Sequence, residues 1–265
     1  NTLSRPNYAD LAPRRSFDAI ETAVGSGVYT GSLNTGNPNL KPYESMNFDV
    51  SVEYYLKNAG ILSLGAFHKE IDNPVFNRST LQTNVTVDGR FYSTLSTSSF
   101  DNAKSGKITG VEFNYQQQLT FLPGWAKGLG VYSNLTKLWT KGNNSAFVTG
   151  PGSSAGGTLA GFLDVTGNLG LSFRGYGFDL RLQAVYRGEY LISNSTTPAL
   201  VTWQLPKTSW TWKSRYAFTR TVSGFFDIEN FTSTLLDNRY AAYKDRPSYW
   251  RTFHSKVVFG VTGRL

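Results

Sequence analysis

Cysteine is absent from the 265 residues, which excludes a disulfide framework and thiolate metal sites and leaves the redox compartment open. Histidine is nearly absent: only His68 and His254 occur, and both sit in strand-like patterns, where ordinary barrel positions account for them better than metal binding or acid–base catalysis. No stretch approaches the roughly 20 consecutive apolar residues that a transmembrane helix needs. That excludes a helical membrane protein and leaves a β-barrel open, because barrel strands alternate and never build a long apolar run. Charged residues make up 17% of the chain, and the formal charge of +8 comes from scattered Lys and Arg rather than from a basic run, which argues against nucleic acid as a partner. The glycine-rich stretch 150–157 lacks the lysine and following helix of a phosphate loop and reads as a connection. No catalytic constellation stands out, so the expectation is no enzyme, no cofactor and no metal. Asn1-Thr-Leu-Ser-Arg-Pro6 is neither a signal peptide nor an ordinary nascent start, and reads as cut from something longer.

Tyrosine (15), phenylalanine (18) and glycine (26) lean the composition toward an all-β chain. In Tyr43-Glu-Ser-Met-Asn-Phe-Asp-Val-Ser-Val-Glu-Tyr-Tyr-Leu56 the residues Met46, Phe48, Val50, Val52 and Tyr54 share one parity, and Ser45, Asn47, Asp49, Ser51 and Glu53 the other. Successive strand side chains point to opposite faces, so this is a strand with one apolar and one polar face. A soluble sandwich and a membrane barrel both produce that pattern. Eight further strands follow: about 61–71, 107–119 (Val111 and Phe113 on the apolar parity), 129–140, 161–173, 178–187 (Leu180, Leu182), 207–218, 223–230, and a last one with Phe253, Val257, Phe259 and Val261 on one face. Short turns at 57–60, 120–128, 174–177 and 219–222 alternate with long connections at 72–106, 142–160, 188–206 and 231–249, all read as loops.

That alternation places every short turn on one rim of a meander and every long connection on the other, the layout of outer-membrane barrels. The runs hold about 9 to 13 residues, close to the roughly 9–11 that cross a bilayer at a tilt and well above the roughly 5–6 common in soluble sheets. Trp210 and Trp212 share a face toward the long-loop end of the seventh strand and suit an interfacial aromatic girdle. The expected architecture is therefore an antiparallel up-and-down meander of nine or ten long strands, part of a transmembrane β-barrel and a single domain over 1–265. Phe48, Val50, Val52, Val111, Phe113, Leu180, Leu182, Val257, Phe259 and Val261 would face lipid, and Asn47, Asp49 and Glu53 a wet lumen. Nine crossings are an odd number where bacterial single-chain barrels have an even one, so residues 1–4 read as the tail of a preceding strand.

Gly36-Asn-Pro-Asn-Leu-Lys-Pro42, just before the first long strand, resembles a segment common in the C-terminal barrel region of TonB-dependent outer-membrane receptors, with the acidic residue displaced by one to Glu44. Arg5-Pro-Asn-Tyr-Ala-Asp-Leu-Ala-Pro13, Ala66-Phe-His-Lys-Glu-Ile-Asp-Asn-Pro74 and Lys107-Ile-Thr-Gly-Val-Glu112 are similar to further family segments. So are Tyr186-Arg-Gly-Glu-Tyr190, Asn230-Phe-Thr232 and Asp237-Asn-Arg-Tyr240, all in the family's order. Members usually end on Phe, whereas this chain ends on Leu265.

The resemblance implies a 22-strand barrel with a plugged lumen, of which this chain would be roughly the C-terminal half, without the plug domain. It also implies uptake of a scarce nutrient (iron-siderophore, vitamin or glycan) across the outer membrane of a Gram-negative cell, energised by the inner-membrane TonB complex acting through the plug. Implied partners are outer-membrane lipid, the remaining strands and plug, TonB, and an extracellular small-molecule ligand touched by loop aromatics: Tyr92, Trp203, Tyr243, Tyr249 and Trp250. Two other readings stay open: a passive porin of about ten strands, and a soluble β-sandwich adhesin whose apolar faces meet each other.

Overall fold

A computed structural model describes residues 2–57, 60–143, 158–193, 201–240 and 243–263. In chain order the strands are β1 (Thr2–Ser4), β2 (Arg15–Glu21), β3 (Val28–Thr35), β4 (Tyr43–Leu56), β5 (Gly60–Asp72), β6 (Val75–Val87), β7 (Arg90–Asn102), β8 (Ser105–Gln118) and β9 (Leu129–Asn143). They continue with β10 (Val165–Gly175), β11 (Phe178–Arg187), β12 (Tyr190–Ser193), β13 (Thr202–Gln204), β14 (Lys207–Ala217), β15 (Val222–Glu229), β16 (Leu235–Tyr240), β17 (Tyr243–Thr252) and β18 (Lys256–Gly263). One four-residue α-helix (Tyr8–Leu11) and a 3-10 turn (Gly124–Gly128) are the helical elements among the described residues.

The strands sort into a ten-stranded sheet and two small ones. The large sheet runs β1-β4-β5-β8-β9-β10-β11-β14-β15-β18, antiparallel throughout. It contains the nine long strands that the alternation indicates, and β1, pairing Thr2 to Ser4 with Ser45 to Tyr43, is the short remnant beside the first of them. Its ends, β1 and β18, do not pair with each other, so the sheet is an open arc of a barrel wall.

Local chemistry sets the short rim. At Tyr176 and Gly177 both φ values are positive (54° and 83°), as the two central residues of a type I′ hairpin require, so β10 returns directly as β11. The β14–β15 turn is tied by Thr219, whose Oγ1 accepts from the backbone N–H of Thr221 (3.2 Å) and Val222 (3.0 Å).

Three of the four long connections form strands of their own. Residues 72–106 form the β6–β7 hairpin, which joins β2 and β3 in a four-stranded sheet of order β2-β3-β7-β6. Within it β3 and β7 run parallel. Residues 188–206 contribute β12 and β13, and residues 231–249 contribute β16 and most of β17, to a second sheet of order β12-β13-β16-β17. Ser, Thr and Asn on both faces of β6 and β7 hide the two-residue period that marks a half-buried strand. Two boundaries also shift: β10 begins at Val165 rather than near Gly161, and Phe253 precedes β18 instead of sharing its face. Within the 142–160 connection, residues 144–157, including the glycine-rich stretch, lie outside the described residues, as do Asn58, Ala59 and Leu265.

Burial confirms a sheet without a core of its own. Leu33, Tyr92 and Leu95 form one buried cluster inside the β2–β7 sheet; Leu191 and Val201 form another in the β12–β17 sheet. Ala103, Ile108 and Leu159 form a third at the long-connection end of the barrel wall. Along the wall itself, aromatic rings lie over glycines: a Cβ at Gly170 would collide with the Tyr132 ring, which fills the vacant place. Replacing Gly170 with Leu is expected to expel that ring and destabilise the wall by about 1–3 kcal/mol, read as a lower denaturation midpoint of the intact protein, while Gly263→Leu, where a Cβ meets open space, leaves it unchanged.

Candidate functional site: the two faces of the wall and its mouth

Residues directly opposite each other in an antiparallel ladder point to the same side, so register assigns faces across all ten strands. Val52 lies opposite Leu64, Leu64 opposite Phe113, and Phe113 opposite Leu135. Further along, Leu171 lies opposite Leu182, Leu182 opposite Trp212, Trp212 opposite Ile228 and Ile228 opposite Val257. Phe48, Val50, Val52, Val111, Phe113, Leu180, Leu182, Val257, Phe259 and Val261 therefore share one face, which we call outward. That face is open: Phe48 is 60% exposed and Phe259 76%. Exposed apolar area on this scale is abnormal for a chain bathed in water.

The opposite face is polar. One row reads Glu53, Ser63, Asn114, Asn134, Asn168, Val185 and Ser209 across seven strands. The Asn168 amide donates to the Asn134 side-chain oxygen (2.8 Å), so the asparagines form a ladder. The charges of this wall form two groups. Asp49, Glu53 and Glu112 stand on β4 and β8, whereas Arg181, Lys213 and Arg215 on β11 and β14 stand among carboxylates: Asp179 holds Arg174 at 2.7 Å and Arg181 at 3.6 Å, and Asp227 lies opposite Lys213.

At the long-connection end the inward face turns apolar. Phe67, Ile71 and Leu138 point inward there and pack with Phe76 around Ala103, Ile108 and Leu159. Leu159 belongs to the β9–β10 connection, so that connection folds back into the mouth of the wall. Beside it lies a cavity of about 470 Å³ lined by Tyr43, Ile71, Phe76, Leu159, Phe162 and Ile192, formed where the wall meets both small sheets. The apolar residues at inward parity were a signal in the sequence, visible as a break in alternation at Phe67 and Ile71.

The aromatic positions separate into different roles. Trp210 sits toward the long-connection end of β14 with its ring 6.3 Å from Phe231, but Trp212 lies midway along the strand between Leu182 and Ile228. A denser outward aromatic group lies at the short rim: Trp125 is 6.2 Å from Phe173, and Tyr216 is 4.5 Å from Phe178 and 5.3 Å from Phe218. Sequence reading missed that group because its members come from three different turns.

Among the loop aromatics, Tyr92 is 1% exposed and packs with Leu33, Leu95 and the Tyr29 ring at 6.0 Å, inside the core of its small sheet. Trp203 packs against Leu191 and Val201, with its indole N–H buried and without an acceptor among the described residues. Tyr249 carries the Arg251 guanidinium over its ring at 5.0 Å, and Trp250 is 68% exposed on β17. Tyr243 opens β17, and its side chain lies outside the described residues. His68 points outward, bonded through Nδ1 to Thr109 Oγ1 (2.7 Å), beside the Glu70–Lys107 ion pair. Among the described residues no group of three or more His, Asp or Glu is gathered as a metal site.

An open antiparallel wall with an apolar outer face, a polar inner face and structured connections on one rim defines the membrane β-barrel class. Residues 1–231 match the family described as TonB dependent receptor-like, beta-barrel, and the chain belongs to that family. Solved structures share the fold. A mutant of the ferric enterobactin receptor PfeA from Pseudomonas aeruginosa is 17% identical, with a TM-score of 0.58, covering 99% of this chain and 37% of that one. The siderophore receptor PirA from Pseudomonas aeruginosa is 16% identical, with a TM-score of 0.57, covering 99% and 38%. The copper transporter OprC is 14% identical, with a TM-score of 0.58, covering 99% and 36%. The chain thus spans 36–38% of the length of these structures. A search of curated proteins finds no match.

Leu159→Ala should free the mouth without touching the wall. A buried Leu→Ala change costs about 2–5 kcal/mol, and here it falls on one connection, so amide hydrogen exchange is expected to accelerate around residues 158–164 while β8 and β9 stay protected.

Proposed function

We propose that this chain is the C-terminal barrel portion of an outer-membrane receptor of a Gram-negative cell, which binds a scarce nutrient outside and imports it by TonB-energised transport. The observation that carries the reading is the unbroken register that keeps apolar side chains on one side of ten strands and polar ones on the other. Lipid is the medium that makes the first face favourable, and a wet lumen the second. The remaining barrel strands and a plug would come from the rest of the receptor, whose relatives are far longer than this chain.

The cargo enters at the mouth in this reading. The apolar cavity beside Leu159 suits a ring or alkyl part of a small organic ligand, and Tyr249, Trp250 and Trp203 belong to the sheet next to it. PfeA and PirA are receptors for ferric enterobactin and a siderophore, and OprC is a copper transporter. Between those chemistries a metal chelate fits this wall better than a bare copper ion, because soft ligands are scarce: the chain has one Met, two His and no Cys, and Met46 and His68 point outward. The activity is binding and passage, so no bond is made or broken.

Two measurements test the reading. Arginine at outward Val50 is expected to cost about 2–4 kcal/mol of barrel stability, as for charges near the bilayer midplane, whereas arginine at the adjacent inward Ser51 costs little; equal effects of V50R and S51R on folding into vesicles would remove the lipid assignment. Uptake of radiolabelled ferric siderophores by cells producing the intact receptor is expected to require a functional TonB, and uptake that persists without TonB would point to passive diffusion.

A further inference from the structure

On the outward face near the short rim, the otherwise continuous apolar surface is interrupted by a groove of about 380 Å³. Its floor follows from register. The row Phe178, Tyr216, Gly224, Val261 has no side chain at its third place, and the neighbouring row Leu180, Ser214, Phe226, Phe259 is small at its second. Large apolar side chains flank the vacancy: Phe178, Tyr216, Phe218, Phe226, Phe259 and Val261 all line it. The Ser214 hydroxyl donates to the Phe226 carbonyl (2.7 Å), so the one polar side chain on that floor is satisfied within the sheet. Gly224 carries no left-handed backbone, and a Cβ there would lie 2.9 Å from the Phe218 ring. The Phe218 ring therefore leans over Gly224 and forms one side of the groove, whose open floor is Ser214.

The turn that adjoins the groove is basic. The β14–β15 turn that borders it carries Arg220 at its tip, exposed and without a carboxylate partner among the described residues. The other short turns carry Lys57, Lys127 and Arg174, the last paired with Asp179 on β11, and none of the four contains Asp or Glu. An apolar groove beside an arginine-bearing turn on a basic rim is complementary to an acyl chain ending in a phosphate.

We propose that this groove is a specific site for an anionic phospholipid of the periplasmic leaflet, one acyl chain lying over Ser214 between Phe218 and Phe259 and the phosphate meeting Arg220 of the adjoining turn. The assignment rests on the membrane reading above and goes beyond it, since ordinary bilayer contact needs neither a recess nor a basic turn beside it.

Native mass spectrometry of the intact receptor, delipidated in mild detergent and then offered phosphatidylglycerol or phosphatidylethanolamine, tests it. One phosphatidylglycerol is expected to stay bound, with phosphatidylethanolamine held more weakly. Gly224→Leu pushes the Phe218 ring into the groove and is expected to weaken retention about tenfold, the effect of about two methylenes leaving apolar contact. Phe259→Ala removes an exposed wall of the groove with no packing to lose, and is expected to act in the same direction should G224L disturb assembly. Arg220→Glu is expected to abolish the preference for phosphatidylglycerol. Retention unchanged in both groove variants, or no bound lipid on a receptor that still requires detergent, would overturn the site and leave the membrane reading intact. Unchanged headgroup preference in R220E would overturn the role of Arg220. A receptor that stays monodisperse without detergent would overturn both readings together.

Discussion

Side-chain parity is the constraint on which the rest of this structure depends. A strand alternates faces with a period of two, so a slip of one residue in any ladder would turn the whole apolar set toward the wrong medium. The large sheet meets that constraint through nine consecutive ladders, none of which contains a register shift. All three irregular ladders lie in the small sheets at the long-connection rim. The contrast has a physical cause. On the wall both faces are specified by different surroundings, while the small sheets bury only a few side chains each and tolerate a bulge wherever a turn needs one.

The same constraint decides how much could be read from the amino-acid sequence. Where one face is apolar and the other polar, the pattern is self-announcing: β4 occupies residues 43 to 56 as its alternation indicates, and the wall's other eight long strands fall within a few residues of their expected places. Faces followed too, since parity plus pairing is enough to put Phe48 and Val261 on the same side. The hairpin of β6 and β7 was illegible by that route, because residues such as Arg78, Ser79, Thr80 and Gln82 give neither face a consistent character. A different signal was present. Asp88-Gly89 is a strong marker of a two-residue hairpin turn, and both residues do adopt positive φ (49° and 77°). The polar composition around it hid that signal.

The candidate site was less legible than the fold, and the reason lies in what aromatic residues do in small sheets. Tyr92 and Trp203 were singled out as ring-bearing residues in long connections, but those connections need cores of their own. A two- to four-stranded sheet projecting from a barrel rim has few positions available for burial, and a large ring is the most effective way to fill one. Aromatic content in such a segment therefore marks its core as readily as a ligand contact. Tyr249 and Trp250, exposed on β17, lie outside those cores and keep the ligand role open on geometric grounds.

The inward wall connects the two ends of the proposed path. At the mouth, Phe67, Ile71 and Leu138 make it apolar under a connection that folds back over them. Toward the middle, the Asn114–Asn134–Asn168 row replaces that surface with amides, which offer both donors and acceptors and favour neither sign of charge. Beyond it, Arg181, Lys213 and Arg215 face the carboxylates of β4 and β8 across the width of the sheet. The basic side chains there are interleaved with Asp179 and Asp227, so that part of the wall presents both signs of charge side by side. In the transport reading proposed above, a wall graded in this way would hold an organic ligand where it enters and offer it exchangeable hydrogen bonds further in. The directional force then has to come from outside the wall, which is the part that TonB would play.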